Sequence, residues 1–184
     1  MVVLLAPEAV VKVVLHKRLI MKNCIIALLL LCSIFGYGQK KLSKLLKQEN
    51  TESIPYITVD SLANHANSYV LLDSREKQEY ETSHIKNALF VGYDNFNLDH
   101  ITKQLPDKNA DIVVYCSLGI RSEDIAEHLK KVGYTNVMNL YGGIFEWKNH
   151  DLPVYNQAEK ETDSVHTFSK SWSKWLQKGI KVYD

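Results

Sequence analysis

The sequence predicts an α/β fold, a mostly parallel central sheet with helices on both faces. Three observations carry that expectation. Short apolar runs alternate with amphipathic segments from Tyr56 to Asn149. The runs Val70–Leu72 and Ile112–Tyr115 are continuously apolar, as strands buried in a parallel sheet are. The clearest helical segment, Ser122–Val132, begins just beyond the second of them.

Taken in order, residues 39–55 are rich in Lys, Gln and Glu and carry Leu42, Leu45 and Leu46 at helical spacing. They read as a connector or a loosely docked helix. Ile57–Val59 reads as a short strand, followed by a helix that Asp60 or Ser61 is placed to cap. Val70–Leu72 is a strand ending at Asp73, Glu76–Glu81 a short helix and Ala88–Val91 another strand. Leu98–Gln104 is a turn or helix before Pro106. Ile112–Tyr115 is the next strand. In Ser122–Val132, Ile125, Leu129 and Val132 form one apolar stripe, with acids in the first turn, lysines in the last and Gly133 at the stop position. Val137–Leu140 is the last strand of the alternation, and Ile144–Asn149 a final helix after Gly142-Gly143, which permit a close turn. In such sheets, sites form at the C-terminal ends of strands. Asp73 and Cys116 both stand at such ends.

Beyond Asn156, a polar linker (Gln157–Asp163) precedes Phe168, Trp172, Trp175 and Leu176, spaced i, i+4, i+7 and i+8. That stripe predicts a tail helix within 156–184 that packs back on the domain. A partner-binding helix is the alternative.

Bulk properties exclude little. An apolar content of 46% is ordinary for a globular protein. A net charge of +1 gives no reason to expect nucleic acid or an anionic membrane as partner. Residues 1–38 read as a leader: Lys22, an apolar run Ile25–Leu31 continuing with interruptions to Phe35, then Gly36 and Gly38 before an expected cleavage. The run falls short of the roughly 20 residues of a membrane span, so a stable span after leader removal is not expected. A lipoprotein signal fits less well, because Leu31 rather than a small residue precedes Cys32. Met21 is the expected true start, with a long basic n-region using Lys17 and Arg18 as the alternative. The chain is thus expected to be exported, to the periplasm or outside the cell. Of the three cysteines, Cys24 and Cys32 lie in this leader, leaving Cys116 as the mature chain's thiol.

Cys116 stands where a strand hands over to a helix, so loop N–H groups and the helix N-terminus can face its sulfur. A thiol with a pKa near 8.5 is only about 3% thiolate at pH 7. Lowering that pKa by about two makes the thiolate dominant, a differential stabilisation of roughly 2.7 kcal/mol. Loop N–H donors, the helix N-terminus and Arg121 are the expected sources. Gly119 lets the loop turn, whereas Glu123 and Asp124 oppose the effect unless they point to solvent. The alternative is a buried cysteine packed as a small hydrophobe.

The segment Cys116-Ser117-Leu118-Gly119-Ile120-Arg121-Ser122 resembles the active-site loop of the rhodanese (sulfurtransferase) family. Leu72-Asp73-Ser74-Arg75, with Glu79-Tyr80 and His84-Ile85-Lys86-Asn87-Ala88, resembles that family's N-terminal signature, and Leu140–Trp147 its C-terminal one. The similarity spans about residues 55–155, which makes 56–155 the expected rhodanese-like domain. Ser74, Ser83 and Asn87 depart from the usual residues at local turns and leave the Cys116 loop intact. Six residues from Cys116 to Arg121 inclusive is the loop length associated with sulfur transfer. Phosphate- and arsenate-handling relatives have one residue more.

The resemblance implies covalent catalysis through a Cys116 persulfide. The persulfide would be held by loop N–H groups from Ser117, Leu118, Gly119, Ile120 and Ser122. Arg121 would bind the anionic end of a donor such as thiosulfate, and a thiol or cyanide would accept the sulfur. The Ser122 hydroxyl is expected to donate to the persulfide or cap the helix. Asp73 and Arg75 are possible supports of the site, with a purely structural buried pair the leading alternative, and His84 and Trp147 read as structural. No metal-ligand spacing appears, and no cofactor is expected. The competing functional class is a non-catalytic rhodanese-like binding module, with the aromatic tail in its interface.

Overall fold

A computed structural model describes residues 16–23 and 41–183, in two compact units, Met1–Leu45 and Leu46–Asp184. The apolar leader segment, Cys24 and Cys32 lie outside the described residues. In the first unit, residues 16–23 form an exposed helix. Residues 41–49 are helical, with Leu42 and Leu46 buried and Leu45 half-buried, as their spacing predicts. No helix among the described residues is long and apolar enough to cross a membrane.

The second unit is built on five strands: β1 (Tyr56–Ile57), β2 (Val70–Asp73), β3 (Leu89–Phe90), β4 (Ile112–Tyr115) and β5 (Val137–Leu140). They lie in the order β1-β5-β4-β2-β3, every pair parallel. All four residues of β4 are buried. Successive side chains of a strand face opposite sides, so both faces of the sheet are covered. Ile54, Leu72, Ile112, Val114, Ile125 and Leu129 form part of one continuous core.

The connecting helices are Val59–Asn64, Lys77–Thr82, Leu98–Gln104, Arg121–Lys131 and Gly143–Asn149. The first is capped by Thr58, not by Asp60 or Ser61. Thr58 is extended (φ −78°, ψ 156°), and its hydroxyl accepts the Ser61 N–H at 3.2 Å. Val59 therefore belongs to the helix rather than to β1. Arg121–Lys131 packs Ile125 and Leu129 inward, while Val132, expected on the same stripe, is its exposed C-terminal cap before Gly133 in the left-handed region (φ 96°).

Beyond β5 the chain departs from the expected tail. The segment read as a linker carries β7 (Glu161–Thr162), antiparallel to β6 (Val154–Tyr155). The predicted tail helix is absent. In its place β8 (Ser164–His166) pairs in parallel with β9 (Ile180–Val182), with one 3₁₀ turn, Ser173–Trp175, between them. Of the four residues in the predicted stripe Leu176 is fully buried, whereas Phe168 is exposed and left-handed (φ 61°), a backbone state no helix contains. β8 does pack on the helix Lys77–Thr82, so the tail belongs to the second unit.

The connection leaving β2 runs to β3 on one side, and the connection leaving β4 runs to β5 on the other. The crevice at the C-terminal ends of β2 and β4 is thus the topological switch point of the sheet, where doubly wound folds place their ligands. Asp73 pairs with Tyr115 in register there, and Cys116 follows at once.

Candidate active site

The buried strand β4 fixes where Cys116 emerges, and the next helix fixes how its loop turns. The N–H groups of Ile144 and Phe145 donate to the Cys116 and Ser117 carbonyls at 2.9 and 3.2 Å. A peptide N–H points opposite its carbonyl, so these two bonds turn the loop's N–H groups toward the sulfur. The close approach requires glycine at 143: a β-carbon there would lie 2.3 Å from the Cys116 carbonyl oxygen, at φ 55°.

The sulfur itself is fully buried. The Gly119 N–H donates to Sγ at 3.1 Å, and Ser122 Oγ lies 3.5 Å away. Burial pushes the Cys116 thiol up. The Arg121 charge and the N–H groups of Ser122 and Leu118 outweigh it, and the pKa falls below the ordinary thiol range. Gly119 turns the loop at φ 101°, and its carbonyl is held by two amides, Asn139 Nδ2 at 2.8 Å and Asn50 Nδ2 at 2.7 Å. Asn139 Oδ1 also accepts from Ser122 Oγ at 2.8 Å. One buried amide therefore ties both ends of the turn together.

Arg121 is more committed than the sequence implies. Its guanidinium donates to Glu79 through Nη1 (2.8 Å) and Nη2 (2.9 Å), and Nη2 also reaches Ser117 Oγ at 3.0 Å. Ser117 Oγ in turn donates to Glu79 at 2.9 Å. Burial pushes the Glu79 carboxyl up, but the hydrogen bonds and charge of Arg121 hold it below the usual carboxylate range. Arg121 is shifted upward in exchange: desolvation opposes its charge, and Glu79 and the Cys116 thiolate restore it. Nε is buried without a partner. Arg121 thus faces the site as a positive charge held in place by Glu79 and Ser117.

Asp73 and Arg75 form a separate, fully buried pair: Arg75 Nη2 lies 2.7 Å from Asp73 Oδ2 and 2.5 Å from the Ser83 carbonyl. These bonds hold β2 to the turn before His84, which is the structural alternative foreseen for them. His84 is buried, stacked on Tyr80 with Nδ1 3.0 Å from the Tyr80 carbonyl oxygen, and Trp147 is buried with Nε1 on the Pro153 carbonyl. The two first-turn acids part ways: Glu123 is buried and Asp124 points to solvent. Glu123 accepts from Ser53 N and Thr51 Oγ1, and Asp124 accepts the Tyr93 hydroxyl at 2.7 Å.

Glu79, Asn139 and Asn50 were not foreseen as parts of this site. Asn139 had a readable signal, a polar residue inside the apolar strand Val137–Leu140, which must find partners when buried. Among the described residues, no group of three or more His, Cys, Asp or Glu is placed to hold a metal ion.

The profile of the rhodanese-like domain matches residues 58–150 of this chain. The chain belongs to the rhodanese-like family. It is 37% identical over 81 residues to a thiosulfate sulfurtransferase of Coxiella burnetii, covering 44% of this chain and 73% of that protein. It is also 37% identical over 98 residues to the tRNA uridine(34) hydroxylase of Hamiltonella defensa, covering 47% of this chain but only 26% of the hydroxylase. Among solved structures, a Bacillus halodurans protein superposes with a TM-score of 0.51 at 21% identity, over 64% of this chain and 90% of its own. The rhodanese-like domain of an Anabaena protein does so with 0.51 at 23%, over 58% and 82%. The likeness to the Anabaena domain shows the rhodanese fold. The match ends before β6, so the segment 156–184 lies outside the family domain.

Proposed function

We propose that this chain is a sulfurtransferase that carries a sulfane sulfur on Cys116. The observation behind the reading is the Cys116 sulfur itself, buried under loop N–H donors and beside a locked guanidinium, with its thiol pKa lowered despite burial. In the first step the thiolate attacks the outer sulfur of a donor of the thiosulfate type. The Sγ–S bond forms, the donor's S–S bond breaks, and sulfite leaves with the bonding pair. The persulfide then holds one negative charge, which the loop N–H groups and Arg121 stabilise in a site closed to water. In the second step a nucleophile, cyanide or a thiolate, takes the terminal sulfur and Cys116 returns as thiolate. No proton needs to move at the sulfur in either step, which fits a site with hydrogen-bond donors and no base beside Cys116.

The Coxiella relative supports thiosulfate as a donor class, and the basic and apolar leader supports action outside the cytosol. The test is thiocyanate formation from thiosulfate and cyanide. It is expected from the full chain and abolished in Cys116→Ser, and no turnover with thiosulfate or an organic persulfide would reject the enzyme reading. Complete burial of Cys116 favours a second reading, a binding module, which predicts that a captured partner binds the Cys116→Ala variant unchanged.

A further inference from the structure

The segment that the family domain does not include reaches back to the candidate site. Phe168 lays its ring over the Arg121 guanidinium, 4.7 Å from ring centroid to guanidinium carbon. Arg121 is left 7% exposed and Cys116 not at all. Phe168 as a residue remains 44% exposed, so it stands at the protein surface.

This placement is built rather than incidental. Thr167, fully buried, bonds the Val182 carbonyl through both its N–H (2.9 Å) and its hydroxyl (3.1 Å). The Phe168 N–H donates to His166 Nδ1 at 3.2 Å, and Trp172 packs on the Phe168 ring at 5.0 Å. Asn149, at the end of a family-domain helix, fastens the other end: Oδ1 accepts from Gln177 N (2.7 Å) and Lys178 N (3.2 Å), and Nδ2 donates to the Trp175 carbonyl (3.0 Å). Phe168 pays for its position with a left-handed backbone (φ 61°), which a bulky residue adopts only when its surroundings require it. Its ring meets a cation already neutralised in plane by Glu79, so the contact offers little stability of its own.

Building on the sulfurtransferase reading, we propose that Phe168 is a specificity-determining residue. It is an aromatic cap on the Arg121 face that admits small sulfur donors and small nucleophiles to Cys116 and excludes bulky thiols. The chemistry it selects for is a compact, anionic sulfane donor and a low-molecular-weight acceptor. A protein-borne thiol would have to displace the ring first.

The test uses the full chain and follows Cys116 through the tryptic peptide spanning residues 109–121, so that Cys24 and Cys32 do not contribute. Rates of alkylation by iodoacetamide and by fluorescein maleimide are compared in the parent chain, Phe168→Ala and Phe168→Leu. Removing the cap is expected to raise the bulky-reagent rate by roughly tenfold or more while leaving the small-reagent rate within about threefold, with Phe168→Leu close to the parent. In sulfur transfer, Phe168→Ala is expected to gain on glutathione relative to cyanide by a similar ratio. Equal acceleration of both reagents would show that Phe168 merely supports the fold, and no change in either would show that it does not guard the site. Either result overturns the proposal. Alkylation needs no sulfur transfer, so a chain that never accepts sulfur from a donor but shows the size-dependent change would reject the sulfurtransferase reading and leave the cap standing. Should Phe168→Ala not fold, Phe168→Tyr and Phe168→Trp test the same point in reverse, the larger ring lowering the bulky-reagent rate further. An unchanged ratio there would refute the cap.

Discussion

Gly143→Ala should do more damage to the Cys116 loop than any other substitution of one methyl group. The added β-carbon would lie 2.3 Å from the Cys116 carbonyl oxygen and 2.7 Å from the Ser117 carbonyl carbon and oxygen. Backbone cannot rotate away as a side chain can, so the loop must retreat from the helix Gly143–Asn149 by about 0.7 Å or more to restore a tolerable contact. That retreat stretches the Ile144–Cys116 and Phe145–Ser117 hydrogen bonds, now 2.9 and 3.2 Å, beyond useful length. Each is worth about 1 kcal/mol net. The left-handed backbone (φ 55°) costs an L-residue about 1–2 kcal/mol in addition. The sum is a loss of about 3–4 kcal/mol, with Cys116 released from its N–H donors. Gly133→Ala is the control: it is also left-handed (φ 96°), but nothing lies within 4 Å of its β-carbon, so only the conformational cost of about 1–2 kcal/mol applies. Urea unfolding of the two variants measures the difference, and the pH dependence of Cys116 alkylation measures the loop. Gly143→Ala within about 0.5 kcal/mol of Gly133→Ala would refute this account of how the loop is held.

Other perturbations separate the roles of the buried charges. Glu79→Gln leaves Arg121 buried without its hydrogen-bonded carboxylate and should cost about 3 kcal/mol or more in unfolding experiments. The Glu79 carboxyl is held below its ordinary pKa in the folded state, so its contribution is fully present above the ordinary carboxylate range and is lost as pH falls through the folded value. Parent and variant stabilities should therefore converge in acid, and a gap independent of pH would contradict the assignment. Arg121→Met removes the charge that most lowers the Cys116 pKa, and the alkylation midpoint should rise toward the ordinary thiol value near 8.5, whereas an unmoved midpoint would place the stabilisation elsewhere. Asp73→Asn should cost about 3 kcal/mol, because Arg75 is fully buried beside it, yet leave that midpoint in place. A shifted midpoint would make Asp73 part of the site after all.

The strands of the sheet's centre were legible because their signal is local: Val70–Leu72 and Ile112–Tyr115 are apolar throughout, and the structure buries them on both faces. The site was legible where residues adjacent in sequence act together, from Cys116 to Ser122. What could not be read is what depends on distant pairing. Glu79 and Arg121 stand 42 positions apart, and nothing in either neighbourhood announces the other. Asn50 reaches Gly119 across 69 positions. The tail misled for the same reason. Its four apolar residues imitate a helical period, but the parallel pairing of Ser164–His166 with Ile180–Val182 and the left-handed Phe168 prevail over that local periodicity.

The central claim, that Cys116 carries the transferred sulfur, is tested most directly by intact mass of the reduced chain before and after thiosulfate, beside Cys116→Ser. The account predicts a gain of one sulfur atom, removed by cyanide and absent from the variant. A gain that persists in Cys116→Ser, or no gain in a parent chain whose Cys116 alkylates readily with iodoacetamide, would contradict it.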